Sequence, residues 1–157
     1  MPNLPFGAFD VSQIELRHRH TADELAACFP PISELRPLLR DVNEWVVRAL
    51  DMQADGYRVL AASVQGTVLA LAGYRSMENL AHGRFIHVDD LVTLNGHRNQ
   101  GLGSTLLHRL SKIGSEECCR RLIINSTAAH LRAEKFFHRK GLVDASVGFV
   151  KTLEEFK

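Results

Sequence analysis

The stretch Arg98-Asn99-Gln100-Gly101-Leu102-Gly103 joins an apolar run typical of a strand, Phe85 to Thr93, to a run typical of a helix, Leu102 to Cys118. The first turn of a helix carries unpaired backbone N–H groups whose aligned dipoles act roughly as half a positive charge, so anions bind there. Because Gly101 and Gly103 lack a Cβ, a ligand can approach the main chain closely at this turn. The stretch therefore predicts a phosphate-binding turn between a strand and a helix.

Two other phosphate-binding motifs do not fit this turn. A P-loop requires Lys and then Ser or Thr after its last glycine, whereas Leu102 and Gly103 follow Gly101. The dinucleotide fingerprint G-x-G-x-x-G requires a third glycine, and Leu106 stands in its place. These departures weigh against a nucleoside triphosphate or a dinucleotide as the ligand.

The composition is that of an ordinary globular protein. The chain has 157 residues, of which 45% are hydrophobic and 24% charged, and its formal net charge is +1. This length predicts a single domain over residues 1–157 with one core. The near-zero charge gives no reason to expect a nucleic acid or an anionic membrane as partner, and we find neither a long apolar run nor the pattern of a signal peptide. We therefore expect a cytoplasmic location.

The cysteines and histidines of the sequence do not form the pattern of a disulfide framework or of a metal site. Its three cysteines form neither a C-x-x-C pair nor an even-numbered framework, which favours reduced thiols: Cys28, Cys118 and Cys119. His18 and His20 share a face of the first predicted strand, and His87 and Asp89 share a face of the central one. Zinc normally takes three or four ligands, so these pairs predict no metal.

Two further segments follow the turn along the chain. Arg121 to Asn125 is a short apolar strand pattern, and Ala133 to Leu142 places Phe136 and Phe137 before a glycine. With Val88 to Thr93 ahead of the turn, these blocks resemble the GNAT superfamily of N-acetyltransferases. They are similar, in order, to its fourth strand, its acyl-CoA signature Arg/Gln-x-x-Gly-x-Gly/Ala, its fifth strand and its A-x-x-F-Y-x-x-x-G-F helix. The resemblance covers more than a third of the chain.

The resemblance implies an α/β (α+β) fold with a mixed, mostly antiparallel twisted sheet of six to seven strands, flanked by about four helices. Local patterns predict the same kinds of element. Thr21 and Glu24 form a capping box that starts a helix, Pro30-Pro31 interrupts it, and Gln65-Gly66 is a hairpin turn. The predicted strands are Ser12 to Arg19, Tyr57 to Val64, Thr67 to Tyr74, Phe85 to Thr93, Leu122 to Asn125 and one or two closing strands within Ala145 to Leu153. The predicted helices after the first are Ile32 to Leu39, Val42 to Met52 and His130 to Lys140, and Ser76 to Gly83 is predicted as a loop.

The resemblance further implies acetyl-CoA as co-substrate, bound mainly by the backbone. It assigns the pyrophosphate to Arg98, Asn99, Gln100, Gly101, Leu102, Gly103 and Ser104. It assigns the pantetheine arm to main-chain groups of Leu91, Val92 and Thr93, which would bind it like an added strand, with an N–H near Leu91 or Val92 facing the thioester oxygen. The residues that would border the other side of the cofactor are Asn125, His130, Ala133, Phe136 and Phe137.

Transfer to an amine also needs a general base, and Asp89 and Asp90 are the leading candidates. Neighbouring residues of a strand point to opposite faces, so at most one of the two is expected to face the acceptor. The alternative is a structural role as partner of an arginine such as Arg84. Further candidates for the base are Glu78, His82 and His87.

One position departs from the family pattern. Many members have a tyrosine that is thought to protonate the leaving thiolate, and this chain has Phe137, whose ring cannot donate a proton. The proton would then come from water or from Tyr74, Ser126 or His138, unless the chain binds acyl-CoA with little transfer.

Three functions stay open. The first is an N-acetyltransferase that moves an acetyl group from acetyl-CoA to a primary amine of a small molecule or peptide, by direct attack in a ternary complex. The second is an acyl-CoA-binding sensor or regulatory module, and the third is a phosphate-binding domain for another nucleotide. The family resemblance places the acceptor beside the segment from Ala22 to Met52 and is compatible with a homodimer.

Overall fold

The described part of the chain contains one five-stranded sheet and five α-helices. A computed structural model describes residues 10–125 and 131–153, which fall into two compact units divided after Asn125. After a short 3-10 turn at Val11–Gln13 the elements are β1 (Ile14–Arg19), α1 (Ala22–Ala26), α2 (Phe29–Leu35), α3 (Val42–Gln53), β2 (Arg58–Val64), β3 (Thr67–Asn79), β4 (Gly83–Thr93), α4 (Leu102–Glu116), β5 (Arg121–Ile124) and α5 (Leu131–Arg139). Within the described ranges, no helix is both long and apolar enough to cross a membrane.

The starts of the first helices follow from local chemistry. The predicted capping box is confirmed, since the Thr21 hydroxyl accepts from Glu24 N and the Glu24 carboxylate accepts from Thr21 N. The predicted break at Pro30-Pro31 is wrong in position, because both prolines lie in the first turn of α2. A proline is tolerated there because the first N–H groups of a helix have no intrahelical partner.

The first unit holds a five-stranded sheet in the order β1-β2-β3-β4-β5. The first three pairings are antiparallel and the β4 to β5 pairing is parallel. Gln65 and Gly66 take φ of 51° and 81°, which confirms the predicted hairpin turn. The predicted loop from Ser76 to Gly83 is wrong for most of its length, because Ser76 pairs with Ile86 and Asn79 with Gly83 in an extended β3–β4 hairpin.

The strand number is the other correction. The described residues contain five strands, fewer than the six to seven predicted, and residues 142–153 form neither helix nor strand. Val147 and Phe149 in this segment are 79% and 95% exposed. A run of β-branched and aromatic residues favours a strand only where its backbone pairs with a neighbour, and the pattern alone does not supply that neighbour. The expectation of one domain stays a prediction.

The sheet is covered on both faces. On one face Leu102, Leu106 and Leu110 of α4 are buried against the strands, as the spacing of these residues predicts. On the other face α1, α2 and α3 bury Leu25, Ile32 and Trp45, and the Trp45 indole donates to the Leu25 carbonyl at 2.7 Å. Burial on both faces explains the near-continuous apolar sequence of β2 and β3.

The pairing of β4 changes along its length. Gly73 lies opposite Asp90 and Tyr74 lies opposite Val88, so Asp89 is an extra residue that forms a β-bulge. The pairing with β5 covers only Phe85 to Val88. Beyond Val88, the edge of β4 from Asp89 to Thr93 has no strand beside it in the part of the chain that the structure describes. We call this open edge, together with the end of β5 at Ile124, the β4–β5 cleft.

Opposite the bulge, a glycine makes room for a buried hydrogen bond. The Tyr57 hydroxyl donates to Asp90 Oδ2 at 2.8 Å directly above Gly73. A Cβ at residue 73 would overlap that hydroxyl and would lie 2.6 Å from Tyr57 Cζ and 2.8 Å from Asp90 Oδ2. Residue 73 must therefore lack a side chain if this bond is to form.

We expect Gly73→Ala to lower the free energy of unfolding by about 1–3 kcal/mol, because the added methyl displaces Tyr57 or Asp90. Urea denaturation followed by circular dichroism measures this change. Gly148→Ala is the matched control, since a Cβ there has no heavy atom within 4 Å. Equal stability of the two variants would contradict the tight packing at residue 73.

Candidate active site

The β4–β5 cleft presents backbone groups rather than side chains. Val92 packs into the α1–α3 core and Leu91 packs against the α4 core, so both side chains serve the fold. On the β5 side, the N–H and C=O groups of Asp89 to Thr93 have no strand to pair with among the described residues. Unpaired strand edges bind extended ligands by adding them as a further strand.

The turn that follows β4 leads directly into α4. Gly96, Asn99 and Gly101 take positive φ of 90°, 62° and 85°. Gly101 is the N-cap residue of α4 and supplies no side-chain cap. Its carbonyl accepts from Thr105 N and Thr105 Oγ1, whereas the N–H groups of residues 102–104 belong to the first turn and point out of the helix. The local geometry is that of an anion-binding helix start.

Asp90 is held by two partners from distant segments. Tyr57 donates to Oδ2 at 2.8 Å, and Arg36 Nε, just past α2, donates to Oδ1 at 2.9 Å. The Asp90 side chain is 12% exposed. Burial, and then the nearby Asp90 charge, raises the pKa of Tyr57 well above its usual range, so Tyr57 stays a neutral donor.

Asp89 has its own pair of partners. Arg75 Nε donates to Oδ2 at 3.1 Å, and His87 Nδ1 lies 3.1 Å from Oδ1. The Arg75 guanidinium also lies 5.5 Å from the centre of the Tyr57 ring, on the side of the sheet where Asp90 binds Tyr57. The expectation that the two carboxylates point to opposite faces is therefore wrong, because the bulge at Asp89 interrupts the strand alternation.

His87 extends this cluster toward β5. Its Nε2 lies 3.2 Å from Nδ2 of Asn125, the residue that follows β5. Arg75, Asp89, His87 and Asn125 thus form a continuous hydrogen-bonded chain where β4 and β5 separate. Sequence reasoning named Asp89 and His87 as candidate bases and Asn125 as a cofactor contact, but missed Arg75, Arg36 and Tyr57. Arg75 follows from the register, since it lies directly opposite His87, whereas no local signal identifies Tyr57 or Arg36.

Tyr74, a candidate acid, lies on the other face of the sheet among the α4 core residues. Its hydroxyl and His18 Nε2 are 2.6 Å apart, and the Arg58 guanidinium lies 4.6 Å from its ring centre. Burial raises the pKa of Tyr74 to about 12 and, together with the charge of Arg58, lowers the pKa of His18. The structure does not bring Tyr74 together with the Asp89 and Asp90 carboxylates.

The remaining predicted site residues follow Asn125 in the chain. Ser126 and His130 lie outside the described residues. Within the second unit, Phe136 and Phe137 are half-buried with ring centres 5.7 Å apart, and His138 Nε2 lies 2.9 Å from Asp144 Oδ1. The cofactor role of Ala133 on the same helix stays a prediction, as do those of the two phenylalanines. In the described ranges no three His, Cys, Asp or Glu side chains are placed to hold a metal ion.

Comparison with known proteins identifies the family of this chain. The model of the "Acetyltransferase (GNAT) family" matches residues 19–142, and no curated protein matches the chain significantly.

Among solved structures, a Trypanosoma brucei acetyltransferase is 20% identical with a TM-score of 0.73, over 89% of this chain and 99% of that one. The ribosomal-protein-alanine N-acetyltransferase of Brucella melitensis biovar Abortus 2308 is 16% identical with a TM-score of 0.76, over 89% and 99% of the two chains. The aminoglycoside N-acetyltransferase AAC(6')-Iy, solved with CoA, is 16% identical with a TM-score of 0.76, over 88% and 94%. These likenesses show the fold, and the family model spans most of the sequence. The chain belongs to the acetyltransferase (GNAT) family.

Proposed function

We propose that this protein transfers an acetyl group from acetyl-CoA to a primary amine of a small molecule or peptide, by direct attack in a ternary complex. The observation that carries the proposal is the β4–β5 cleft, an open strand edge that runs into the uncapped first turn of α4. An extended thiol-bearing arm with a diphosphate at one end matches both features.

In this proposal the pyrophosphate binds the backbone from Arg98 to Ser104 at the start of α4. Because this turn follows the carboxyl end of β4, the pantetheine arm must run back along the open edge past Thr93, Val92 and Leu91. The thioester then lies near the bulge at Asp89, where a backbone N–H of β4 can donate to its oxygen. Such a donor stabilises the negative charge that develops as the amine attacks.

The acceptor amine enters from the side of the sheet that carries Asp89 and Asp90, beneath α2. The end of α2 is tied to β4 by Arg36, which also donates to the Asp89 carbonyl at 2.9 Å. The Glu34 carboxylate accepts from Asn95 N at 2.7 Å, just beyond β4. Structural neighbours that are named for an aminoglycoside and for a protein alanine support an amine as the acceptor class.

The test is release of free thiol from acetyl-CoA, followed with a thiol-reactive dye. We expect the purified protein to release thiol only when a suitable amine is present, and spermidine, sisomicin and an alanine-initiated peptide are the first probes. An acyl-CoA sensor would instead gain thermal stability with acetyl-CoA and release no thiol with any of them. A protein with no affinity for CoA would overturn the proposal entirely.

We expect Gly103→Trp to weaken CoA binding by about tenfold or more, because the indole fills the space in front of the first turn of α4. Isothermal calorimetry with CoA measures the affinity, and circular dichroism checks the fold. Ser115→Trp is the control, since Ser115 is exposed in the last turn of the same helix. CoA affinity equal to the wild type in Gly103→Trp would rule out the proposed pyrophosphate site.

We expect Phe137→Tyr to raise kcat, by about tenfold up to 10²-fold, because the phenol supplies the proton donor that the family pattern has at this position. Steady-state kinetics with the best amine give kcat and KM separately. Phe136→Tyr adds the same hydroxyl at the neighbouring position of α5 and should leave kcat unchanged. A similar effect of both substitutions would contradict a role for position 137 in proton donation.

A further inference from the structure

We propose that His87 is the general base of the transfer reaction and that Asp89 is the positioning residue that orients it. This inference rests on the proposed function, since it names the group that receives the proton of the acceptor amine. Among the base candidates from the sequence, it favours His87 over the leading pair, Asp89 and Asp90. Three observations support it: the tautomer of His87, its place at the β4–β5 cleft, and the partners of the two carboxylates.

The hydrogen bonds of His87 select one tautomer. An ionised carboxylate only accepts hydrogen bonds, so Nδ1 of His87, at 3.1 Å from Asp89 Oδ1, must carry the ring proton. Nε2 of His87 is then the nitrogen that presents a lone pair, which a base requires, and the Asn125 amide at 3.2 Å can donate to it.

The position of His87 also suits the reaction. It lies one residue before Val88, the last residue of β4 that pairs with β5, so its ring stands where the cleft begins. The proposed course of the pantetheine arm brings the thioester to this same end of the open edge. The His87 side chain is 23% exposed and reaches both strands, which leaves its Nε2 accessible once an incoming amine displaces the Asn125 amide.

Asp89 and Asp90 are less suited than His87 to accept a proton from the amine, because their carboxylate oxygens already bind other side chains. Asp90 is 12% exposed and is occupied on both oxygens by Tyr57 and Arg36. Both oxygens of Asp89 are also occupied, one by Arg75 from β3 and one by His87. The imidazole contacts the charged Asp89 on its own strand and the neutral Asn125 that follows β5, and the charged Arg75 lies directly opposite it on β3.

The proton and electron balance is simple. The amine nitrogen attacks the thioester carbonyl carbon, and the carbon–sulfur bond breaks with its electron pair leaving on sulfur. Nε2 of His87 takes one proton from the attacking nitrogen, and the Asp89 carboxylate stabilises the imidazolium that forms. The imidazolium returns this proton to solvent, from which the CoA thiolate is protonated, and the products are the acetylated amine and CoA with a free thiol.

The test compares two histidine variants of the whole chain. We expect His87→Gln to lower kcat/KM by about 10²- to 10⁴-fold while CoA affinity by calorimetry stays unchanged. His108→Gln is the matched control, because His108 is exposed on α4, outside the β4–β5 cleft, and should keep wild-type kinetics.

Asp89→Asn tests the positioning role. We expect a smaller loss of kcat than in His87→Gln, because the base is retained but its orientation is not. The loss should fall on kcat and leave KM for the amine unchanged, since the amine still binds. A purely structural Asp89 would change stability and leave kcat of the folded protein near the wild-type value.

The outcomes separate this inference from the proposed function. A wild-type protein that releases thiol, together with a His87→Gln variant within about threefold of it, would overturn the role of His87 and keep the acetyltransferase. A wild-type protein that binds CoA but releases no thiol with any amine would overturn both. Loss of kcat/KM in His108→Gln as well as in His87→Gln would also overturn it, since the effect would then not belong to position 87.

Discussion

The extra residue in β4 is the constraint on which the candidate site depends. Without Asp89, the register Gly73 to Asp90 and Tyr74 to Val88 would run evenly, and the neighbouring carboxylates would point to opposite faces of the sheet. With it, both carboxylates contact groups on the α1–α3 side. The pairing with β5 ends one residue before the bulge, at Val88. A single insertion in the ladder thus coincides with the open backbone edge and with the charged cluster beside it.

Two half-buried carboxylates in adjacent positions repel each other and lose hydration, so the fold has to compensate them. Two arginines from different parts of the chain do this: Arg75 from β3 meets Asp89, and Arg36 from the end of α2 meets Asp90. The same contacts fix the position of α2, since Arg36 also binds the Asp89 carbonyl. Charge compensation and the placement of α2 therefore rest on the same few contacts.

The sequence predicted the parts of the molecule that depend on local chemistry. The glycine turn before α4, the capping box at Thr21 and the hairpin turn at Gln65-Gly66 each act over a few residues, and the structure contains all three. The bulge at Asp89 was not predicted, because it depends on the pairing of β4 with β3 and this pairing cannot be determined from the residues of β4 alone. The bond between Tyr57 and Asp90 joins residues 33 apart in sequence, and only the fold brings them together. The prediction of closing strands within Ala145 to Leu153 was wrong for a related reason, because a strand forms only where its backbone pairs with a neighbouring strand.

Cofactor binding and proton transfer restrict the amino-acid sequence in different ways, so a sequence predicts the residues for each with different precision. The proposed cofactor contacts are main-chain groups. They require the start of a helix, the absence of a Cβ at Gly101 and Gly103, and a strand whose edge is not paired with another strand. These requirements restrict residue types at fixed spacing and produce a recognisable pattern. The candidates for the general base are side chains, and their hydrogen-bond partners decide whether they can accept a proton from the amine. The sequence favours Asp89 over His87 as the base. Our proposal reverses this order only because the structure shows that Arg75 binds Asp89 and that Asp89 holds Nδ1 of His87.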